Sequence, residues 1–220
     1  MTLFVNAVRV MERLVDLRIA FSCQSGSYEL DSWRALWKCL INRRRLRRLE
    51  IKVIPTEVFA GIDHLDFLHD LKVTVFHFGH DEYNKLATFI SRNVKLKVLD
   101  IKCIPPHNTT IWDLIDSSLF PDLKSLILES QSHHGLLDHG PSPLMFFDFM
   151  RLHQTLETFQ TRKIHLPIVQ SDPGSLPSLA VLYNNVSSDA VIAMLSNTTN
   201  HPRPLKELVA SPVDIDFSNH

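Results

Sequence analysis

The sequence predicts an α/β solenoid, with parallel strands along a concave face and helices along a convex one. Two observations carry this prediction. A short apolar motif of the form L-x-x-L-x-L returns along the 220 residues. Between its copies the apolar residues switch to the i, i+3, i+4, i+7 spacing that puts them on one face of a helix. A third observation links the two. CLINRRRLRRLEIK (39–52), FISRNVKLKVLDIK (89–102) and FMRLHQTLETFQTR (149–162) are three copies of one helix-end-to-strand unit, each closed by a cation (Lys52, Lys102, Arg162).

In chain order, Phe4, Ala7, Val8 and Met11 define a first helix, and LVDLRI (14–19) a first strand. Trp33, Leu36, Trp37 and Leu40 mark the second helix, with Asp31 and Ser32 as candidate caps. LRRLEI (46–51) and LHDLKV (68–73) follow as strands, joined by a 52–67 connection with room for at most a helical turn. Leu86, Phe89 and Ile90 predict a helix before LKVLDI (96–101), and Ile111, Leu114 and Ile115 a shorter one before LKSLIL (123–128). The loop 129–143 reads as an insertion, and Phe146, Phe149 and Met150 place a helix ahead of LETFQT (156–161). A Pro- and Gly-bearing connection, 162–178, leads to LAVLYN (179–184). Val191, Met194 and Leu195 form a last helix, capped by Ser187, Ser188 or Asp189, before LKELVA (205–210).

One strand plus one helix cannot bury its own apolar faces, whereas a stack of such units buries them continuously. The chain repeats itself because each copy is one coil of the stack. The mean spacing, about 27 residues, lies within the roughly 20–29 residue period of leucine-rich repeats. Residues 1–220 are therefore expected to form a single leucine-rich-repeat domain of about eight irregular repeats.

Helical segments ending in FISRNVKLKVLDI or FMRLHQTLETFQT, together with FPDLKSLIL (120–128), resemble the irregular leucine-rich repeats of fungal F-box-like proteins. The resemblance covers nearly the whole chain. It implies the target-holding part of a ubiquitin-ligase receptor, in which an F-box grips the ligase adaptor and the repeats hold the substrate. Met1 falls directly in a repeat helix, so no Leu-Pro-led F-box bundle is expected here. Ubiquitin-ligase subunits join the expected partners only where an F-box lies upstream.

Composition limits the chemistry. Net charge is −1, so no global field draws nucleic acid or an anionic membrane. The opening MTLFVNAVRVMERLVDL departs from a secretory leader, since no cation precedes the apolar run and Arg9, Glu12 and Arg13 interrupt it. No uncharged apolar run approaches the roughly 20 residues of a membrane span. Cys23, Cys39 and Cys103 are widely separated and odd in number, which fits a reducing compartment, cytoplasmic or nuclear.

The chain lacks GxSxG, HExxH, GxxxxGK[ST] and GxGxxG. No catalytic residue, metal ligand or cofactor is assigned. HFGHDE (77–82) and HHGLLDH (133–139) motivate an alternative, a metal-dependent hydrolase using loop histidines. Zinc favours convergent ligands on rigid elements, and these histidines lie in Gly-containing loops. A further alternative is an inactive fragment of a longer repeat protein. The basic run NRRRLRR (42–48) reads as a helix C-terminus, where cations complement the dipole, running into a strand. Trp33, Trp37 and Trp112 fall on or beside apolar helix stripes and are read as core.

Within L-x-x-L-x-L the apolar positions point inward and the intervening residues outward. Stacking aligns the outward residues into columns. The first reads Asp16, Arg48, Asp70, Val98, Ser125, Thr158, Val181, Glu207; the middle, Arg18, Glu50, Lys72, Asp100, Ile127, Gln160, Tyr183, Val209; the third, Ala20, Lys52, Thr74, Lys102, Glu129, Arg162, Asn185, Ser211. Alternating charges on the first four units read as a stabilising ladder. Beyond them Ile127, Gln160, Tyr183 and Val209, with Arg162 beside, offer the aromatic, apolar and Arg groups that anchor protein interfaces. A protein target on the concave face is the expected partner.

Overall fold

The computed structural model describes residues 2–20, 30–41, 43–53, 58–59, 61–75, 79–115, 120–131, 139–167, 176–184, 204 and 206–210. It is an α/β structure built on one all-parallel sheet. The strands are β1 (Asp16–Ala20), β2 (Arg48–Val53), β3 (Asp70–Val75), β4 (Val98–Cys103), β5 (Ser125–Ser130), β6 (Thr158–Arg162), β7 (Val181–Asn184) and β8 (Glu207–Ala210). Each pairs with the next in sequence order. The described helices are α1 (Thr2–Val10), α2 (Leu30–Ile41), α3 (His80–Arg92) and α4 (Pro143–Leu152), with a 3₁₀ turn at Ile111–Leu114.

The motif sets both register and core. Its second apolar position stacks as Leu17, Leu49, Leu71, Leu99, Leu126, Phe159 and Leu182 on successive strands, all buried. Leu208 continues the row on β8 but stays 46% exposed, at the sheet's edge. Burying a leucine fully is worth roughly 1.5–3 kcal/mol, so the row alone is a large stabilising contribution. Helix stripes complete the same cluster through Trp33, Trp37, Phe89, Phe146 and Met150. Trp37 stacks between Trp33 and Phe59, with ring centroids 6.1 and 6.3 Å away, and its indole N–H donates to the Val58 carbonyl. Trp112 meets Phe146, Phe149 and Phe159 edge-on. All three tryptophans are core residues.

Three local expectations change. Helix α2 begins at Leu30, so Asp31 sits inside its first turn, favoured there by the helix dipole and in contact with Arg34 at 3.5 Å. The Ile111 segment is a 3₁₀ turn, whose three-residue repeat eclipses Ile111 and Leu114 and satisfies the i, i+3 pattern in one turn. A reciprocal capping box between Thr110 and Asp113 starts it. Glu129 and Ser130 belong to β5 rather than to an inserted loop. The Val191 helix, its caps, Cys23, Asn185 and Ser211 lie outside the described residues. Cys39 is half-buried and Cys103 buried. No helix among the described residues is long and apolar enough to cross a membrane.

Gly140 marks where the chain returns before α4. A Cβ there would lie 1.6 Å from the His165 carbonyl oxygen, a backbone atom that no side-chain rotation can move. Gly140→Ala is expected to cost about 2 kcal/mol, within the usual range for overpacking. Chemical denaturation measures this; an unchanged unfolding midpoint would mean that the two segments separate freely.

Candidate functional site

Because successive strands are in register, the residues between the core positions align on the open face of the sheet. The middle column runs Arg18, Glu50, Lys72, Asp100, Ile127, Gln160, Tyr183, Val209. The first column and the third, as far as Arg162, also follow the order expected from the sequence.

The β1–β4 part carries three separate groups of ion pairs. Arg18 reaches Glu50 at 3.6 Å, and Lys52 reaches the other Glu50 oxygen at 3.0 Å. Arg48 bonds Asp70 at 2.8 Å, and Lys72 approaches Asp100 at 3.9 Å. Such exposed pairs stabilise by roughly 0.2–1 kcal/mol each. Asp100 is the most enclosed of these paired carboxylates, its side chain 14% exposed. Burial pushes its carboxyl above the ordinary range, an effect that Lys102 and Lys72 oppose and Glu129 and Glu50 reinforce.

From β5 onward the middle column has no charge. Ile127 and Gln160 are half-buried neighbours, and Val209 is half-buried on β8. Tyr183 takes its place in β7 between Gln160 and Val209; its side chain lies outside the described atoms. Arg162, expected from the sequence to contact a partner, also has a neighbour within the sheet. It sits 3.8 Å from Glu129, which Lys102 also contacts at 3.1 Å. The third column therefore extends the charge ladder two strands past β4, where the middle column ends it.

His80 opens α3 and His139 precedes α4, both exposed, while His77, His133 and His134 lie outside the described residues. Among the described residues no group of three or more His, Cys, Asp or Glu side chains converges.

The sequence reading placed Arg43 and Arg47 in a basic run but missed the two columns of polar residues to which they belong. Three positions before the first leucine of a strand motif stand Arg43, Asn93 and His153. Asn93 and His153 are the C-caps of α3 and α4 and are buried. Asn93 donates to the Phe89 carbonyl at 2.6 Å and accepts the Leu65 backbone N–H at 3.0 Å. His153 bonds the Phe149 carbonyl at 2.9 Å through Nδ1 and accepts the Phe120 N–H at 3.4 Å through Nε2. Arg43 donates to the carbonyls of Val8 and Arg9, at the end of the preceding helix. Each ties its own unit to the one before. The shared column in the three aligned stretches was the available signal.

The second set begins the strands. Arg47, His69, Lys97 and Lys124 immediately precede β2 to β5 and are stacked by the backbone: Arg47 O accepts from His69 and Asp70, His69 O from Lys97 and Val98, and Lys97 O from Lys124 and Ser125.

Comparison with protein-family models, curated proteins and solved structures finds no match.

Proposed function

We propose that this chain is a non-catalytic protein-binding module. It is a leucine-rich-repeat solenoid of the F-box-like kind, with strands on its concave face and helices on its convex face. It serves as the part of a ubiquitin-ligase receptor that holds the target. One observation carries the reading: between β4 and β5 the middle column changes from alternating charges to Ile127, Gln160, Tyr183 and Val209. A protein interface needs a patch that water leaves readily, and a column without charge meets that need better than paired ions. The ionisable groups of the open face supply the second argument. Glu50, Asp70, Asp100 and Glu129 all contact cations, an arrangement suited to holding a sheet together rather than to proton transfer.

The test begins with affinity purification, asking whether ligase subunits and one recurrent partner accompany the protein. Titration of that partner then compares variants. Tyr183→Ala and Ile127→Ala are expected to weaken binding by about 2 kcal/mol each, the loss typical of a true anchor, and Glu50→Ala to leave affinity nearly unchanged. The opposite ranking would assign the target to the charged half.

A further inference from the structure

We propose that the edge formed by Arg44, Arg45, Arg47, His69, Lys95 and Lys97 is a docking surface for an acidic segment of a partner polypeptide, a run of Asp or Glu side chains laid across the starts of β2, β3 and β4. This goes beyond the reading above and does not depend on it, because the edge is separate from the middle column of the open face.

The first support is a contrast in pairing. The cations of the open face, Arg18, Arg48, Lys52, Lys72 and Lys102, all lie within 4 Å of a carboxylate oxygen. Arg44, Arg45, Arg47, Lys95 and Lys97 form no ion pair among the described residues. Three acids around the patch have neighbours of their own: Asp70 contacts Arg48, Asp66 contacts His64 and Glu157 contacts Lys124. Unpaired charge concentrated here, in a chain whose net charge is −1, is a local feature rather than a consequence of composition.

The second support is that two of the cations, Arg47 and Lys95, are held in place. The Arg47 guanidinium lies 5.0 Å and the Lys95 ammonium 5.5 Å from the centre of the Phe67 ring. Arg47 Nη1 also donates to the Arg44 carbonyl at 2.8 Å and the Phe67 carbonyl at 3.3 Å. A partner therefore meets an array whose ordering cost is partly met already. The fields also converge. His69 is lowered from its ordinary pKa first by burial, then by Lys97 and Arg47, with Lys95 adding to them and Asp70 opposing.

The geometry favours carboxylates on an extended chain. Three adjacent strand starts span about 10 Å, and alternate side chains of an extended peptide stand about 6.6 Å apart, so two or three carboxylates cover the row. Single-stranded nucleic acid binds by stacking bases on open aromatic rings, and Phe67 already carries two cations over its ring.

Fluorescence anisotropy with a short labelled peptide of alternating Glu and Ser tests the proposal, against its Gln counterpart and an oligothymidylate. The acidic peptide is expected to bind and its Gln counterpart not. Affinity should fall about tenfold in Lys95→Glu/Lys97→Glu and with added salt. The milder Lys95→Gln/Lys97→Gln should lie between, and Lys52→Gln on the open face should change nothing, with all variants keeping the wild-type circular dichroism. Failure of the acidic peptide to bind, indifference to both Lys95/Lys97 variants, or tighter binding of the oligothymidylate would overturn the assignment.

Discussion

Replacing Asn93 by leucine is expected to lower the free energy of unfolding by about 4 kcal/mol, although leucine suits a buried site by size and polarity. The asparagine is 4% exposed and completes two backbone groups that water does not reach. Its amide donates to the Phe89 carbonyl near the end of α3, and its carbonyl oxygen accepts the Leu65 N–H from the preceding unit. Leucine serves neither. A buried polar group left without a partner costs about 1–3 kcal/mol, and here there are two on opposite sides of one residue. By contrast Glu50→Ala, which removes an open-face partner of Arg18 and Lys52, is expected to cost no more than about 1 kcal/mol. Denaturant unfolding of both variants measures the ratio. Equal losses would mean that the ladder, not the buried cap, joins the units.

That contrast also explains what was legible beforehand. The strands and their register follow from L-x-x-L-x-L because a period of two allows one register per buried face. Leu17 through Leu182 could hardly be buried together in any other alignment. The helices follow from the spacing around Trp33, Phe89 and Phe146. A hydrophobic pattern ignores polar residues by construction, so it passed over Asn93 and His153, whose burial is possible only because main-chain groups of two units meet there. It likewise passed over His69 and Lys97, and met Arg47 only as part of a basic run, since the first variable position of the motif carries no apolar signal. The Arg162–Glu129 contact was hidden for another reason: both residues were assigned to the right column, but pairing depends on side-chain reach rather than on register. Tyr183 and Val209 were placed by the motif alone, and their column is the part of the candidate site that periodicity could supply.

His153 performs the same task as Asn93 with a titratable ring, and acid should therefore weaken the protein through it. The ring accepts the Phe120 N–H through Nε2 and lies flat against Phe149, with centroids 4.3 Å apart. Its Nδ1 proton goes to the Phe149 carbonyl, so this is the neutral form. Protonating Nε2 would set an N–H against an N–H. Burial lowers the pKa from the ordinary 6.5, and the hydrogen bond to Phe149 opposes this only in part. Below 6.5 the unfolded chain therefore takes up a proton that the folded protein resists. Since the unfolded state binds more protons in that window, stability rises with pH. The contribution is complete above about pH 7 and drains away as pH falls through 6.5 toward the lowered folded value. His153→Leu is expected to cost about 3 kcal/mol above pH 7 by orphaning both backbone partners. His153→Asn, borrowing the solution used at position 93, should cost less and lose the acid sensitivity between about pH 7 and 5. His69 is lowered in the same direction, so some slope remains in every variant. What isolates His153 is the difference between wild type and His153→Asn in unfolding midpoint against pH. Parallel curves would show that the ring titrates as freely folded as unfolded, and that its burial carries no electrostatic cost.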